Sequence, residues 1–368
     1  MRNKAATVLF CVLLFGGLLA GILTKDLVYS SSEKRKLAQF PALSLSTLRS
    51  GDFGRQLETY LADQFPARDR WVTVKALAER TLGKKDCGGV YFAKDGYLIE
   101  IQRSFPTEQL TANLNAVKAL SGLVAEDGVS VRIMPVPSAA CILADKLPAY
   151  AANADQRAVI ALAKNAGLTV IDVTDELLAH RDEYIYYKTD HHWTSLGAYY
   201  AYRVWMRERG FACAPLSEWA RETLTDIFRG TTYIKSGDPF APYDTIEGYR
   251  RADRHTVNYN NGYYIADSIF ERSLVDGQNP YGVFLNGNQS TTVVFSEGRG
   301  KLLIIKDSYA NTFAQFAVDD HEETHLIDMR FFRGSVAKYI RDNGITEVLV
   351  LYNIPNLVTD VDLARVGR

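Results

Sequence analysis

Two short segments of the 368-residue chain hold the residue types that acyl transfer requires. The segment 189–193 (TDHHW) places Asp190 two positions before His192, and Ser308 follows closely after the apolar run 301–306 (KLLIIK). In an extended segment, residues i and i+2 point to the same side, so Asp190 can orient His192. An orienting carboxylate, an imidazole base and a serine nucleophile are the parts of a catalytic triad. The sequence therefore predicts a triad of Ser308, His192 and Asp190.

Each part of this triad also has a plainer interpretation. A serine at a strand-to-helix turn, as at Ser308, is a common helix cap, and an aspartate before two histidines can cap a loop beside a buried histidine. The segment 190–192 could instead bind a metal ion. The segment 321–325 fits the H-E-x-x-H zinc-protease pattern, but a strand would hold His321 and His325 about 13 Å apart. We therefore favour a triad without a metal or other cofactor.

An alternating order of helices and strands from residue 106 onward positions the candidate residues. Short apolar strands between helices indicate an α/β fold with a mostly parallel sheet, covered on both faces. Ligands of such sheets bind beyond the carboxyl ends of the strands, where Ser308 falls. Residues 211–297 interrupt the order with many Gly, Asn, Asp and Tyr residues. We interpret them as a β-rich insertion that could form a wall of a cleft.

The predicted domains follow from this order. Residues 25–105 form a tether with lead-in helices and a hairpin, and residues 106–368 form the catalytic domain with the insertion.

Composition excludes other classes of protein. Forty-two Lys and Arg against 43 Asp and Glu give a net charge of −1, which argues against nucleic-acid binding. Apolar residues at 47% and charged residues at 23% exclude a disordered chain.

Cysteine usage adds a further limit on the fold. Four cysteines are too few for a disulfide scaffold. One disulfide among Cys87, Cys141 and Cys213 is an open alternative, and the sequence does not select its pairing.

The amino terminus indicates export. Arg2 and Lys4 precede nineteen uncharged residues, 5–23, which as a helix would rise about 28 Å, close to the hydrocarbon thickness of a bilayer. The run ends without an A-x-A-like cleavage site, so we predict an uncleaved signal anchor over residues 5–24. Residues 1–4 would then lie in the cytoplasm and the remainder outside. A cleaved signal peptide is the alternative, and it also exports the chain.

The segments around the predicted triad carry a resemblance to a known family. TDHHWTSLGAYYAY over residues 189–202 resembles the signature of the DHHW family of bacterial exported proteins. LLIIKDSYANTFAQF over residues 302–316 resembles the nucleophile block of such proteins. The family is similar to the AlgJ and AlgX alginate O-acetylation proteins, which have an SGNH-hydrolase-like fold. The resemblance implies an SGNH-like sandwich around the sheet.

The oxyanion hole is the part of the site that the resemblance leaves least defined. SGNH enzymes use a Gly and an Asn there, and the best candidates are Gly287 and Asn288, together with the backbone N–H of Ser308. Asn353 is a weaker candidate, and a plain turn is the alternative for Gly287 and Asn288. Many SGNH enzymes have Gly before Asp-Ser, whereas this chain has Lys306, whose side chain could crowd the turn or lie at the end of the strand without effect.

These observations predict a membrane-anchored, outward-facing acyltransferase. The resemblance implies O-acetylation of a cell-surface polysaccharide and an acyl donor supplied by a multipass membrane acyltransferase partner. A carbohydrate esterase with the same triad is one alternative, because water rather than a sugar hydroxyl would then accept the acyl group. A non-catalytic scaffold or glycan-binding protein of a cell-envelope polysaccharide system is the other, and Lys306 and the undefined oxyanion hole give it weight.

Overall fold

A computed structural model describes residues 2–30, 35–251 and 254–368. Residue 1, residues 31–34 and residues 252–253, which fall in the predicted cytoplasmic end, tether and insertion, lie outside the described residues. The chain divides into two compact units. The first combines the residues up to Gly88 with Ile234–Phe240, and the second combines Gly89–Tyr233 with Ala241–Arg368.

The helices and strands are numbered in chain order. The α-helices are α1 (Arg2–Leu23), α2 (Leu45–Ser50), α3 (Asp52–Asp63), α4 (Arg68–Thr81), α5 (Thr107–Leu123), α6 (Ala139–Ile142), α7 (Gln156–Asn165), α8 (Thr174–Ala179), α9 (Ser195–Glu208), α10 (Thr231–Ser236), α11 (Tyr309–Ala317), α12 (Val336–Asn343) and α13 (Ile354–Leu357). The strands are β1 (Tyr29–Ser30), β2 (Arg35–Lys36), β3 (Asp86–Cys87), β4 (Val90–Phe92), β5 (Leu98–Glu100), β6 (Ser130–Val136), β7 (Ala220–Phe228), β8 (Asp244–Arg250), β9 (Thr256–Tyr259), β10 (Tyr264–Ala266), β11 (Thr291–Phe295), β12 (Lys301–Lys306), β13 (Glu323–Ile327) and β14 (Glu347–Asn353).

The first unit is helical, with α1 to α4 and the short β1–β2 pair. Ser44 starts α2 with a capping box, since its hydroxyl accepts from the N–H of Thr47 while the Thr47 hydroxyl accepts from the N–H of Ser44. Among the residues that the structure describes, none of the helices combines the length and the apolar character needed to cross a membrane. The predicted transmembrane helix is thus not shown, and the signal anchor stays a prediction from the sequence.

A seven-stranded mixed sheet forms the centre of the second unit, in the order β10-β9-β11-β13-β12-β14-β6. The strands β13, β12, β14 and β6 pair in parallel, whereas β10, β9 and β11 are antiparallel to their neighbours. The prediction of a mostly parallel sheet is therefore wrong for one half of it. Only residues 260–263 connect β9 to β10. This connection is too short for a parallel pair, because parallel strands need a crossover of roughly a dozen residues.

The region predicted as a β-rich insertion contributes strands to two sheets. Its strands β7 and β8 pair with each other in an antiparallel sheet, but β9, β10 and β11 extend the main sheet. Asn260 and Asn261 have positive φ of 50° and 58° in the β9–β10 connection. Asparagine tolerates positive φ, so these residues suit the tight turn of a β-hairpin at the edge of the sheet.

Helices cover both faces of the sheet, as the sequence predicts. Leu302 and Ile304 of β12 pack into one cluster with side chains of α9 and α11. Leu303 and Ile305 pack into another with side chains of α5, α7 and α12. All four side chains are fully buried. Successive strand residues point to opposite faces, so two separate cores hold β12 in place and fix where its carboxyl end lies.

The cysteines carry no cross-link in the described part of the chain. Cys87, Cys141 and Cys213 are unpaired thiols, so the disulfide that the sequence left open is not formed.

Candidate active site

The turn between β12 and α11 presents Ser308. The side chain of Asp307 starts the helix, because one carboxylate oxygen accepts from the N–H of Tyr309 at 2.9 Å. Its other oxygen accepts from the N–H of Asn353 at 2.9 Å and from the side-chain amide of Asn356 at 2.8 Å. Ser308 makes no capping hydrogen bond and is half-buried. Ser308 thus stands at the N-cap position of α11, but its hydroxyl does not cap the helix and can contact another side chain.

That side chain is His192. The Oγ of Ser308 lies 2.6 Å from Nε2 of His192, and Nδ1 of the same ring lies 2.5 Å from Oδ1 of Asp190. His192 is 5% exposed and Asp190 3% exposed, so both are shielded from water. An ionised carboxylate can only accept, which assigns the ring proton to Nδ1 and leaves Nε2 to accept from the Ser308 hydroxyl. The structure thus brings the three predicted residues into one hydrogen-bonded chain.

A second set of contacts holds Asp190 in position. Its Oδ1 also accepts from the backbone N–H of His192 at 3.0 Å. Its Oδ2 accepts from the backbone N–H and the hydroxyl of Thr231 at 2.7 Å and 3.0 Å. Gly230 lies so close that a Cβ there would stand 2.1 Å from this Oδ2. The segment before α10 therefore closes over the carboxylate, and position 230 has no room for a side chain.

The charges of the pair suit an acid–base role. Burial disfavours ionisation of Asp190, but the charges of His192 and His191 and the hydrogen bonds from His192 and Thr231 outweigh it. The pKa of Asp190 consequently lies well below its ordinary value. Burial and the charge of His191 disfavour protonation of His192 more than Asp190 favours it, which lowers the pKa of His192 to about 4. Near neutral pH an ionised Asp190 thus faces a neutral His192 that can accept a proton.

Tyr281 completes the surroundings of His192 and was not among the residues predicted from the sequence. Its ring stacks on the imidazole with centroids 3.8 Å apart and planes at 11°. Its hydroxyl lies 3.1 Å from the carbonyl oxygen of Ser308, to which it donates, and 2.5 Å from the hydroxyl of Thr312. Tyr281 therefore contacts both His192 and the β12–α11 turn. It lies within residues 211–297, whose irregular pattern carries no signal that could have singled it out.

The candidates for the oxyanion hole lie in two places. Asn353 supports the β12–α11 turn, because its backbone N–H donates to Asp307 and its side-chain amide donates to the carbonyl of Val136 at 3.2 Å. Gly287, with φ of 74°, ends a turn in which its N–H donates to Phe284 at 3.1 Å. Asn288 follows with an exposed side chain. Oδ1 of Asn288 accepts from Nζ of Lys306 at 2.9 Å.

The DHH segment also contains the residues that could hold a metal ion. Asp190, His191 and His192 offer ligand atoms within 4.8 Å of one another. These atoms already have partners, since Nδ1 of His191 lies 2.6 Å from the hydroxyl of Thr231 and Nε2 of His192 lies 2.6 Å from Ser308. An ion bound through Nε2 of His192 would displace the serine. The hydrogen-bond pattern therefore matches the needs of a triad better than those of a metal centre.

The H-E-x-x-H segment serves other contacts. His321 approaches the carbonyl of Ala317 at 3.1 Å through Nδ1 and Arg209 at 3.0 Å through Nε2. His325 lies in β13 and contacts Glu323 and Tyr339 at 2.9 Å each. The two histidines thus have separate partners on separate elements.

The chain is similar to known proteins in sequence and in fold. The model of the family described as DHHW protein matches residues 88–327. A DHHW family protein from Eubacterium siraeum has a solved structure with a TM-score of 0.63 and 28% identity, over 75% of this chain and 94% of that chain. Bacillus cereus PatB1, solved with a sulfonyl adduct, gives a TM-score of 0.61 and 18% identity over 74% of this chain and 98% of that one.

A third solved structure is more distant. The O-acetyltransferase domain of Pseudomonas putida AlgJ is matched with a TM-score of 0.47 and 13% identity, over 74% of this chain and 93% of that one. No curated protein sequence matches the chain significantly. The mixed α/β fold is thus shared with the E. siraeum protein and with PatB1.

Proposed function

Because this chain belongs to the DHHW protein family, we propose that it is an acyl-transfer enzyme in which Ser308 is the nucleophile, His192 the general base and Asp190 the orienting carboxylate. The single observation that carries the proposal is the continuous hydrogen-bonded chain from Oγ of Ser308 through His192 to Asp190. A serine used only for packing would not need an imidazole whose far nitrogen is held by a buried carboxylate.

The proposed reaction has two halves. Oγ of Ser308 attacks the carbonyl carbon of an acyl donor while its proton passes to Nε2 of His192, and the carbonyl electron pair moves onto oxygen. The tetrahedral intermediate then collapses, and the leaving group takes the proton from His192 as it departs. An acceptor hydroxyl next loses its proton to His192 and attacks the carbonyl carbon of the acyl-serine. As this second tetrahedral intermediate collapses, the bond between Oγ and the acyl carbon breaks, and Oγ of Ser308 takes the proton back from His192. Asp190 stabilises the imidazolium that forms in both halves.

One relative supports a covalent step. PatB1 has been solved with a sulfonyl adduct, and sulfonyl reagents bond to activated nucleophiles. The shared fold makes Ser308 the residue that we expect to react in this chain. The hydroxyl is half-buried and without a capping role, as a nucleophile that must meet a substrate requires.

The substrate and the cellular setting follow from the family resemblance. We propose a hydroxyl-bearing cell-surface polysaccharide as acceptor and acetyl as the acyl group, with a multipass membrane acyltransferase as the source of the donor. The predicted signal anchor over residues 5–24 would hold the protein at the outer face of the cell membrane. A carbohydrate esterase would use the same residues, with water as the acceptor.

Acetate release from p-nitrophenyl acetate tests the proposal, with full-length protein in detergent beside Ser308→Ala and His192→Ala. We expect release by the wild type and its loss in both variants. An added oligosaccharide acceptor should become acetylated by the transferase at the expense of acetate release. Acetate release that stays the same with every added acceptor would favour the esterase. A wild-type rate equal to that of both variants would contradict the proposed function.

A further inference from the structure

A buried lysine lies directly before the nucleophile turn. Lys306 ends β12 and is 2% exposed. Its ammonium lies 3.8 Å from Oδ2 of Asp328, a fully buried residue whose other oxygen accepts from Nε of Arg330 at 2.8 Å. Placing a charged ammonium inside a protein is costly unless its hydrogen bonds are satisfied. Asp328 is already engaged by Arg330, so the position of Lys306 has to be explained by its other contact.

That contact is with Asn288. Nζ of Lys306 donates to Oδ1 of Asn288 at 2.9 Å, and the side-chain amide of Asn311 donates to the same oxygen at 3.3 Å. An ammonium has donors only, so the atom of Asn288 that faces it must be the oxygen. The NH₂ group of Asn288 therefore points away from both donors, and the side chain that carries it is exposed.

The loop that carries Asn288 is held in an unusual conformation. Leu285 and Asn286 have φ of 54° and 53°, and Gly287 follows with 74°. A bulky residue such as Leu285 rarely adopts positive φ, and such strain persists only where the surroundings impose it. Asn311 donates to the carbonyl of Gly287 at 3.2 Å through its side chain and to the carbonyl of Ser308 at 3.2 Å through its backbone. One residue of α11 thus ties the Asn288 loop to the nucleophile turn.

We propose that Lys306 is a positioning residue that directs the NH₂ group of Asn288 toward the oxyanion formed when Ser308 attacks an acyl carbonyl. The inference rests on the proposed function and extends it to a residue that lies outside the triad. As the bond between Oγ and the carbonyl carbon forms, the carbonyl electron pair moves onto oxygen, and a preset N–H donor stabilises that charge. Lys306 contributes by holding the amide in the donating orientation before the substrate arrives.

The charge state of Lys306 should make the activity depend on pH. Burial lowers the pKa of Lys306 to about 8, with Asp328 and Asp307 opposing the shift and Arg330 adding to it. Above that pH a neutral amine can also accept a hydrogen bond, so the Asn288 amide can turn its NH₂ group inward. Activity that depends on the outward orientation should then fall as the pH rises through this range.

The test is a double-mutant cycle on kcat/KM for p-nitrophenyl acetate, with Lys306→Met, Asn288→Ala and the double variant. Removing one oxyanion donor commonly costs on the order of 100-fold in rate, and we expect about that for Asn288→Ala. Lys306→Met should lose about 10-fold or more, and the double variant should match Asn288→Ala. Lys301→Met, at the partly exposed start of the same strand and paired with Glu323 at 2.7 Å, is the matched control and should be unchanged.

The pH dependence of the rate is a second measurement, and it would not change if Lys306 had only a structural role. The wild type should lose activity above about pH 8, and this loss should be absent in Asn288→Ala, an exposed substitution that is expected to fold even if Lys306→Met does not. Additive losses in the double variant, an unchanged rate in Asn288→Ala, or an alkaline loss that survives in Asn288→Ala would overturn the inference. These outcomes leave the proposed function intact, whereas a wild type with no Ser308-dependent activity removes both.

Discussion

The imidazole of His192 has a different neighbour on each side. Asp190 holds Nδ1, Ser308 lies against Nε2, and the ring of Tyr281 covers one face. The spacing of Asp190 and His192 predicted their pairing on an extended segment, where residues i and i+2 share a side. The pairing is present, but residues 190–192 form a bend in which Oδ1 of Asp190 accepts from the backbone N–H of His192 and contacts Nδ1 of its ring. Tyr281 and Thr231 were not predictable, since only the folded chain brings residues 211–297 onto the DHH segment.

Replacing Asp190 by asparagine tests the orienting role. Asparagine keeps the shape but loses the charge and can present N–H groups to Nδ1, so the ring would adopt the wrong tautomer. We expect a fall in turnover of about 10⁴-fold, by analogy with other triads. Asp182→Asn, at an exposed position in the same loop region, should leave the rate unchanged. An Asp190→Asn enzyme at the wild-type rate would remove Asp190 from the mechanism.

The acid side of the pH–rate profile reports on His192. Its pKa is lowered to about 4, so the neutral base persists well below the range in which an ordinary histidine is protonated. We expect kcat/KM for the acetyl ester to be level from pH 7 to about 5 and to fall below that, approaching roughly tenfold per pH unit. A limb centred near pH 6.5 would mean that His192 is solvated like a surface histidine.

At the scale of elements, three segments meet at the site. The β12–α11 turn carries Ser308, the DHH segment precedes α9, and the segment around Gly230 precedes α10. The first two could be placed from the sequence, because an apolar strand before a helix and a polar loop before a helix are local patterns. The third has no such pattern. Its importance comes from one close approach, that of Gly230 to Asp190.

Substituting Gly230 by alanine tests this approach. A Cβ would lie 2.1 Å from Oδ2 and 2.3 Å from Cβ of Asp190, so the carboxylate must move away from its present position. A displacement of this kind commonly costs about 100-fold in rate, and we expect that loss in kcat/KM. Gly122→Ala is the matched control, because a Cβ built at Gly122 meets nothing within 4 Å beyond its chain neighbours and the backbone of its own helix. Equal rates in both variants would contradict the close approach of position 230 to the carboxylate.

At the scale of the whole molecule, a sheet buried on both faces fixes the site. The parallel half of the sheet, β13, β12, β14 and β6, was predictable from short apolar strands between helices. The antiparallel half was not, because β9, β10 and β11 lie in a region of irregular hydrophobic pattern. These strands join the sheet through pairing of β11 with β13, β9 with β11 and β10 with β9. Nor did the sequence show that residues up to Gly88 form a separate compact unit with Ile234–Phe240.

Ile304 and Ile305 test burial on both faces. They are adjacent on β12, fully buried, and packed into different clusters. Truncation of each to alanine should lower the free energy of unfolding by about 2–5 kcal/mol, measured by urea denaturation. Val361→Ala, at a side chain that is 66% exposed, should stay within about 0.5 kcal/mol of the wild type. If only one of the two substitutions lowered the free energy of unfolding, one face of the sheet would be exposed to solvent.

The most direct test of the central claim is to map where a sulfonyl fluoride bonds to the protein. Mass spectrometry of the digested wild type should find one adduct, on the peptide that contains Ser308. We expect no adduct in Ser308→Ala and greatly slowed labelling in His192→Ala, because the hydroxyl then lacks its base. An adduct on a different residue, or labelling of Ser308→Ala at the wild-type rate, would contradict the assignment of Ser308 as the nucleophile.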